Sequence, residues 1–286
     1  MAQAKPLAAY SSYKYFNVTS PSPYVAHVEI NRPEKLNAFH EAMWLEMKRV
    51  FDQLSVDPEV RAIVLSGAGE RAFSAGLDVV AASEGSILNN KDGLDGARTA
   101  TKLRRHIAEF QDSISAIEKC EKPVICVLHG ISIGLSIDIS CCADVRICAK
   151  DTRFAVKEVD IGLAADIGTL ARLPKVVGSF SWVKDVALSA RDFGAAEALQ
   201  VGFVSQVCDN KAAALAAAFE KAAFIASKSP VAVQGTKELL NHSRDHSVAE
   251  NLRYTGVWNS AMLQTQDVAA ALLSGMQKRK PTFEKL

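Results

Sequence analysis

The chain has 286 residues, 49% hydrophobic and 23% charged, with a formal net charge of +1. That length suits one large domain, or one domain with a smaller appendage, and the composition excludes a globally disordered, collagen-like or coiled-coil protein. The near-zero charge gives no overall field to draw nucleic acid or an anionic membrane surface, and no apolar run reaches bilayer-spanning length.

The opening stretch, MAQAKPLAAYSSYKYF, lacks the continuous apolar core of a secretory signal. It is free of acids and carries Ser and Lys but no Arg, which leaves a mitochondrial presequence as a second reading. The cysteines, Cys120, Cys126, Cys141, Cys142, Cys148 and Cys208, form no CxxC pair and mostly sit in apolar stretches. They read as reduced, buried thiols rather than disulfides or zinc ligands.

Tyr24 to Ile30 alternates, with Tyr24, Ala26, Val28 and Ile30 on one face, as a half-buried strand does. From Glu41, the residues Trp44, Met47, Phe51 and Leu54 recur at helical spacing until Asp57-Pro58. Arg61 to Gly67 reads as a buried strand, and Ser83 to Gly96 as a loop. Leu103, Ile107, Phe110, Ile114 and Ile117 mark a long amphipathic helix. Pro123 to Leu128 and Val145 to Ala149 are two further apolar strands. Strands alternating with helices predict an α/β architecture. After about Ala212 the pattern turns Ala-rich and helical, so residues 1–211 read as the core and 212–286 as a helical appendage.

Three segments carry chemistry. Phe73-Ser-Ala-Gly-Leu-Asp78 follows a strand and contains a glycine that allows close backbone approach to a ligand. His129 to Asp138 follows another strand, and its Gly134 is placed to open a helix whose first N–H groups favour an oxyanion. Either one also fits plain α/β topology. The third is a set of carboxylates: Asp138, Glu158 and Asp166. Asp166 sits among small and apolar residues, so it is paired, functional, or the N-cap of a helix over 167–173. Glu158 beside Lys157 also reads as a surface ion pair, and Asp138 as a first-turn dipole partner.

The order of these segments resembles the crotonase, or enoyl-CoA hydratase/isomerase, superfamily. The resemblance rests on Asn31–Ala38 (NRPEKLNA), Phe73–Asp78, Pro123-Val-Ile with His129-Gly130, Cys142–Arg146 (CADVR) and Gly168–Pro174 (GTLARLP), and on Ser229-Pro230 and Lys237. It covers the chain from about Tyr24 onward. It implies a spiral of ββα units with a C-terminal helical oligomerisation region, assembled as a homotrimer or homohexamer. Hydratases of this family are similar in carrying glutamates at the positions of Asp138 and Glu158 and glycine at that of Asp166. The acidic set here, with Val156–Thr169, Ser227–Gln234, Ser243–Glu250 and Trp258–Asp267, looks instead like the dienoyl-CoA isomerases.

The resemblance implies a thioester carbonyl held by the backbone N–H groups of Leu77 and Leu135. Leu135 departs from a glycine run usual in the family, which bears on the acyl pocket. Glu158 is expected to act at C2 and Asp166 at C6, with the exchanged roles as the alternative, and Asp138 to support them. Substrate contacts are expected from Lys35, Leu36, Ala38, Ala75, Gly76, Leu77, Asp78 and Gly134, with Lys278-Arg279-Lys280 either helping or forming a solvated tail. No metal or separate cofactor is implied, since CoA is part of the substrate. The final Glu284-Lys285-Leu286 shares two residues with the peroxisomal Ser-Lys-Leu address, with mitochondria as the alternative. The rival readings are an enoyl-CoA hydratase or Δ3-Δ2-enoyl-CoA isomerase, and a non-catalytic RNA- or partner-binding protein on the same scaffold.

Overall fold

The computed structural model describes residues 5–84 and 93–286. Strands β1 (Lys5–Pro6), β2 (Phe16–Ser22) and β3 (Val25–Ile30) lead into helix α1 (Glu41–Val56). Strands β4 (Ala62–Gly67) and β5 (Ala72–Ser74) precede α2 (Val79–Glu84) and the long α3 (Gly96–Lys119). Next come β6 (Val124–Leu128), β7 (Ile131–Ile133) and α4 (Leu135–Cys141), then β8 (Val145–Ala149) and β9 (Arg153–Ala155). Helices α5 (Thr169–Val176) and α6 (Phe180–Ser189), strand β10 (Phe193–Gly194), helix α7 (Ala195–Gln200) and strand β11 (Gln206–Cys208) complete the α/β part. Four helices follow: α8 (Lys211–Ala226), α9 (Pro230–Asp245), α10 (Val248–Met262) and α11 (Gln266–Met276).

The strands divide between a seven-stranded sheet, ordered β1-β2-β3-β4-β6-β8-β11, and a four-stranded sheet, ordered β10-β9-β7-β5. From β3 to β11 the large sheet is parallel, while β1 and β2 add antiparallel. Each pair β4–β5, β6–β7 and β8–β9 gives its first strand to the large sheet and its second to the small one. That repeated hand-over winds the chain into a spiral.

Parallel strands need cover on both faces, which explains the unbroken apolar runs. Along β4 and β6 the side chains alternate between two cores. Ile63, Leu65, Val124, Cys126 and Leu128 face the larger one, shared with α1 and α3. Ala62, Val64, Ile125 and Val127 face the other, where Ala214, Ala218, Ala222 and Ala226 of α8 lie at four-residue spacing. Helix α8 therefore shares a core with the sheet, and the helices that leave it begin at Pro230.

Several expectations need correction. Tyr24 is not part of the strand; its φ of 63° makes it the turn before β3. The strand β2 escaped notice because Pro21 and small polar residues interrupt it, and its pairing shifts register between Thr19 and Ser22. Of the loop expected over 83–96, Ser83 and Glu84 end α2 and Gly96 opens α3, while residues 85–92 lie outside the described residues. All six cysteines are free, and five are buried.

Candidate active site

Two tight turns meet at the site. The first runs from β5 to α2. Gly76, at φ +91°, donates its N–H to Ser74 Oγ at 3.1 Å, and its carbonyl accepts from Phe39 N at 2.8 Å. Asp78 N donates to Phe39 O at 2.8 Å. Between them, the Leu77 N–H has no acceptor among the described residues. The second turn joins β7 to α4. Gly134, at φ +55°, donates to Ala155 O, and Leu135 opens the helix with an N–H that likewise has no acceptor among the described residues.

The two turns touch. A Cβ on Gly76 would lie 2.9 Å from Ile133 O and 3.4 Å from Leu135 N, so only glycine permits this approach. Leu135 itself is 4% exposed and packs in the larger core. The segment Asn31–Ala38 clamps the first turn from outside. Arg32 Nη1 donates to Ala38 O at 2.7 Å and to Asp78 Oδ2 at 2.8 Å. Asn37, fully buried at φ 55°, accepts from Arg32 N and donates to Ala68 O and Ala72 O.

The carboxylates come from three neighbouring elements. Asp138 sits in the first turn of α4 and is 1% exposed. Its Oδ1 accepts from Thr169 N at 2.6 Å, so it caps α5 rather than acting only on its own helix. Burial, and then the charge of Glu158, push its pKa up to about 7, against the pull of the Thr169 hydrogen bond. Glu158 begins a 3₁₀ turn, Glu158–Ile161, and its Oε2 is buried without a hydrogen-bond partner among the described residues. Burial is the main reason its pKa is raised; backbone hydrogen bonds oppose this and the Asp166 charge adds to it. A Cβ on Gly134 would lie 3.7 Å from Glu158 Oε1 and 3.8 Å from Gly76 Cα, which fixes this carboxyl beside both turns. Asp166 is exposed, and its carbonyl accepts from Gln111 Nε2 of α3 at 2.5 Å.

Two alternative readings of these acids fail. Lys157 pairs with Asp160 at 3.1 Å and Asp192 at 3.6 Å, not with Glu158. Asp166 caps nothing: α5 starts at Thr169, and its N-cap position is Gly168.

Asp138, Glu158 and Asp166 share one cavity of about 770 Å³ with Leu77 and Leu135. Ala75, Gly76, Asp78 and Gly134 also line it, whereas Lys35, Leu36, Ala38 and the run 278–280 do not. Much of the rest of the wall is apolar, with His40, Glu41, His106, Lys157 and Asp160 as its further polar residues. Leu103, Ile107 and Phe110 of α3 meet Trp44 of α1, which stacks on Phe110 at 3.8 Å between ring centroids. Trp44 and Phe110 entered the sequence only as core positions, because periodicity marks a buried face but not a cavity within it. Thr169 and Gln111 gave no signal at all, since their partners lie 31 and 55 residues away.

Unengaged N–H donors beside a graded set of carboxyls, from buried Asp138 to exposed Asp166, in a mostly apolar cavity, suit carbonyl-activating acid–base chemistry. The fold and this site define a crotonase-type α/β protein. The chain belongs to the enoyl-CoA hydratase/isomerase family, whose model matches residues 22–285. It is 49% identical over 278 residues to the mitochondrial Delta(3,5)-Delta(2,4)-dienoyl-CoA isomerase of Mus musculus, covering 96% of this chain and 84% of the relative. It is 42% identical over 262 residues to the peroxisomal isomerase of that name from Arabidopsis thaliana, covering 92% and 93%. In fold it is similar to an enoyl-CoA hydratase from Bacillus anthracis, with a TM-score of 0.84 at 24% identity over 95% of this chain and 99% of that one.

Proposed function

We propose that the chain is an isomerase that converts 3,5-dienoyl-CoA to 2,4-dienoyl-CoA in the breakdown of unsaturated fatty acids. The observation that carries this reading is the set of acids in one cavity: a buried Asp138, a half-buried Glu158 and an exposed Asp166. The names of the relatives from mouse and Arabidopsis support it.

In the proposed reaction the Leu77 and Leu135 N–H groups hold the thioester oxygen. Glu158 takes a proton from C2, and the negative charge spreads over the oxygen and along the diene to C6. A proton delivered by way of Asp166 reaches C6, and the double bonds shift into conjugation with the carbonyl. The proton taken at C2 leaves to water and an equivalent one enters at C6, so the balance needs no oxidant, metal or separate cofactor. Exposure of Asp166 suits exchange with water, while burial of Glu158 suits a carboxyl that is easily protonated. Asp138 supports Glu158 through their shared charge. The Trp44–Phe110 side of the cavity is proposed to receive the acyl chain.

A hydratase is disfavoured by the acid at position 166, for which adding water across one double bond has no use. The test is a near-ultraviolet assay with 3,5-octadienoyl-CoA beside crotonyl-CoA. Growth of a conjugated dienoyl chromophore with little crotonyl-CoA hydration is expected. Hydration without diene formation would overturn the reading.

The family and the cavity fit an acyl-CoA thioester, and among the described residues no helix is long and apolar enough to cross a membrane. We propose that α9 to α11 form an assembly surface for a homotrimer or homohexamer. The names of the relatives make mitochondrion and peroxisome the two candidate compartments. The peroxisome is proposed here, following the plant relative; fluorescence imaging of the full chain against both organelle markers decides.

A further inference from the structure

Asp166 is carried by a segment with little support of its own. The turn before it closes with Leu163 N donating to Glu158 O, and the helix after it starts at Thr169. From Ala164 to Ile167, the only hydrogen bond among the described residues is the one from Gln111 Nε2 to Asp166 O. The residues that follow are held by the same face of α3. Arg172 Nη2 donates to Ser115 Oγ at 2.8 Å and to Glu118 Oε2 at 3.0 Å. Gln111, Ser115 and Glu118 are spaced at i, i+4 and i+7, so they form one stripe along the helix. The neighbouring stripe, Leu103, Ile107 and Phe110, lines the cavity.

We infer that Gln111 is a positioning residue for the reaction: its side-chain amide fixes the Asp166 peptide, and with it the point at which Asp166 meets the far end of the diene. This rests on the reading above, in which Asp166 handles the proton at C6 and Glu158 the proton at C2. Ile167 packs against the core, but a carboxyl on a segment with no other hydrogen bond among the described residues must still be held to a fraction of an ångström to transfer a proton well. Helix α3 is a suitable frame because it is long and packs against α1. Gln111 is exposed and touches no catalytic candidate through its own side chain except by this backbone bond, so its replacement should leave the fold intact.

The experiment compares wild type with Gln111→Met, which keeps the shape and removes the donor, Gln111→Lys, which restores a donor, and Asp166→Asn. Two rates are measured with 3,5-octadienoyl-CoA: diene formation by absorbance, and exchange of the C2 hydrogen in heavy water by mass spectrometry. Gln111→Met should slow diene formation roughly threefold to tenfold, the scale of one lost hydrogen bond. KM should stay within about twofold of wild type, since the acyl-CoA contacts are untouched. Exchange at C2 should fall less than diene formation, as for Asp166→Asn but more mildly, and Gln111→Lys should recover most of the loss. Wild-type diene formation in Gln111→Met overturns the inference. Equal loss of both rates does so too, because general loosening of the site would slow both steps alike. Wild-type turnover in Asp166→Asn overturns instead the assignment of Asp166, on which the inference stands.

Discussion

At the scale of residues, the acids of the site differ in ways their neighbours explain. Asp138 is sealed and bound to Thr169 N, while Asp166 is open to water. Glu158 lies between these extremes, with one oxygen 3.7 Å from where a Cβ on Gly134 would lie and the other buried without a partner among the described residues. If Glu158 and Asp166 transfer protons, Glu158→Gln and Asp166→Asn should each cut diene formation at least tenfold, within the roughly 10² to 10⁴ typical of acid–base groups. Circular dichroism and thermal melting should stay close to wild type, which separates lost chemistry from lost fold. The carboxyl of Asp138 gives a second prediction. Its pKa is raised from 3.8 to about 7, so the native state holds this proton more tightly than the unfolded chain does. Its contribution to stability is therefore full below pH 3.8 and is lost as pH climbs to about 7. Asp138→Asn keeps an oxygen for Thr169 N but cannot ionise. Its stability relative to wild type should rise between pH 4.5 and pH 8, by a free energy on the order of a few kcal/mol at most, read as a growing difference in melting temperature. A constant difference across that range would show that Asp138 is not a carboxyl held protonated by burial.

At the scale of elements, the junctions matter more than the elements they join. Leu77 and Leu135 gain open N–H groups because β5 and β7 both end in glycine turns that pack against each other. A methyl on Gly76 meets Ile133 O at 2.9 Å and leaves the residue at φ +91°, a conformation costly for any L side chain. Gly76→Ala should therefore displace the two N–H groups from each other. Turnover should fall by about 10² to 10³, the scale of a lost oxyanion donor, with a melting-temperature loss of only a few degrees. Near-wild-type turnover would mean that the two turns do not act together. These junctions also mark what the sequence can and cannot reveal. The strands β4 and β6 stand out because they are buried throughout and carry the apolar runs Ala62–Leu65 and Val124–Leu128, and β8 because it is apolar apart from Arg146. The three-residue strands β5, β7 and β9 are too short for any periodicity, so the smaller sheet and the spiral repeat stay hidden. Gly134 was legible as a helix start, since a glycine after an apolar strand is a local signal. The Asp138–Thr169 cap was not, because local sequence favoured Asp166 for that role and the true partner comes from another helix.

At the scale of the whole molecule, the described residues leave one conspicuous surface unaccounted for by the site. Helices α10 and α11, with Leu263 just past the end of α10, present Val248, Leu252, Val257, Leu263, Leu272 and Met276, exposed by 78, 66, 64, 64, 67 and 83%. Neither helix has a large apolar residue in the buried class, although both are apolar on average. Single exposed apolar side chains are ordinary, but a run of them along two consecutive helices marks an interaction surface. The same region is tied to the core at the other end, where Arg244 of α9 pairs with Glu118 of α3 and Lys175 of α5 pairs with Asp245. These pairs hold the end of α9, from which α10 and α11 continue, against the core. In solution the protein is expected to sediment at three or six times its 30.8 kDa chain mass. Replacing Leu252 and Leu272 together with Glu should shift it to a smaller species and make its melting temperature depend on concentration, as mass action requires when folding and association are linked. These two side chains are exposed in the single chain, so the change costs the isolated fold little. Assembly of the double variant at the same mass as wild type would place the subunit contact elsewhere, and a monomeric wild type would leave this apolar face to a partner of another kind.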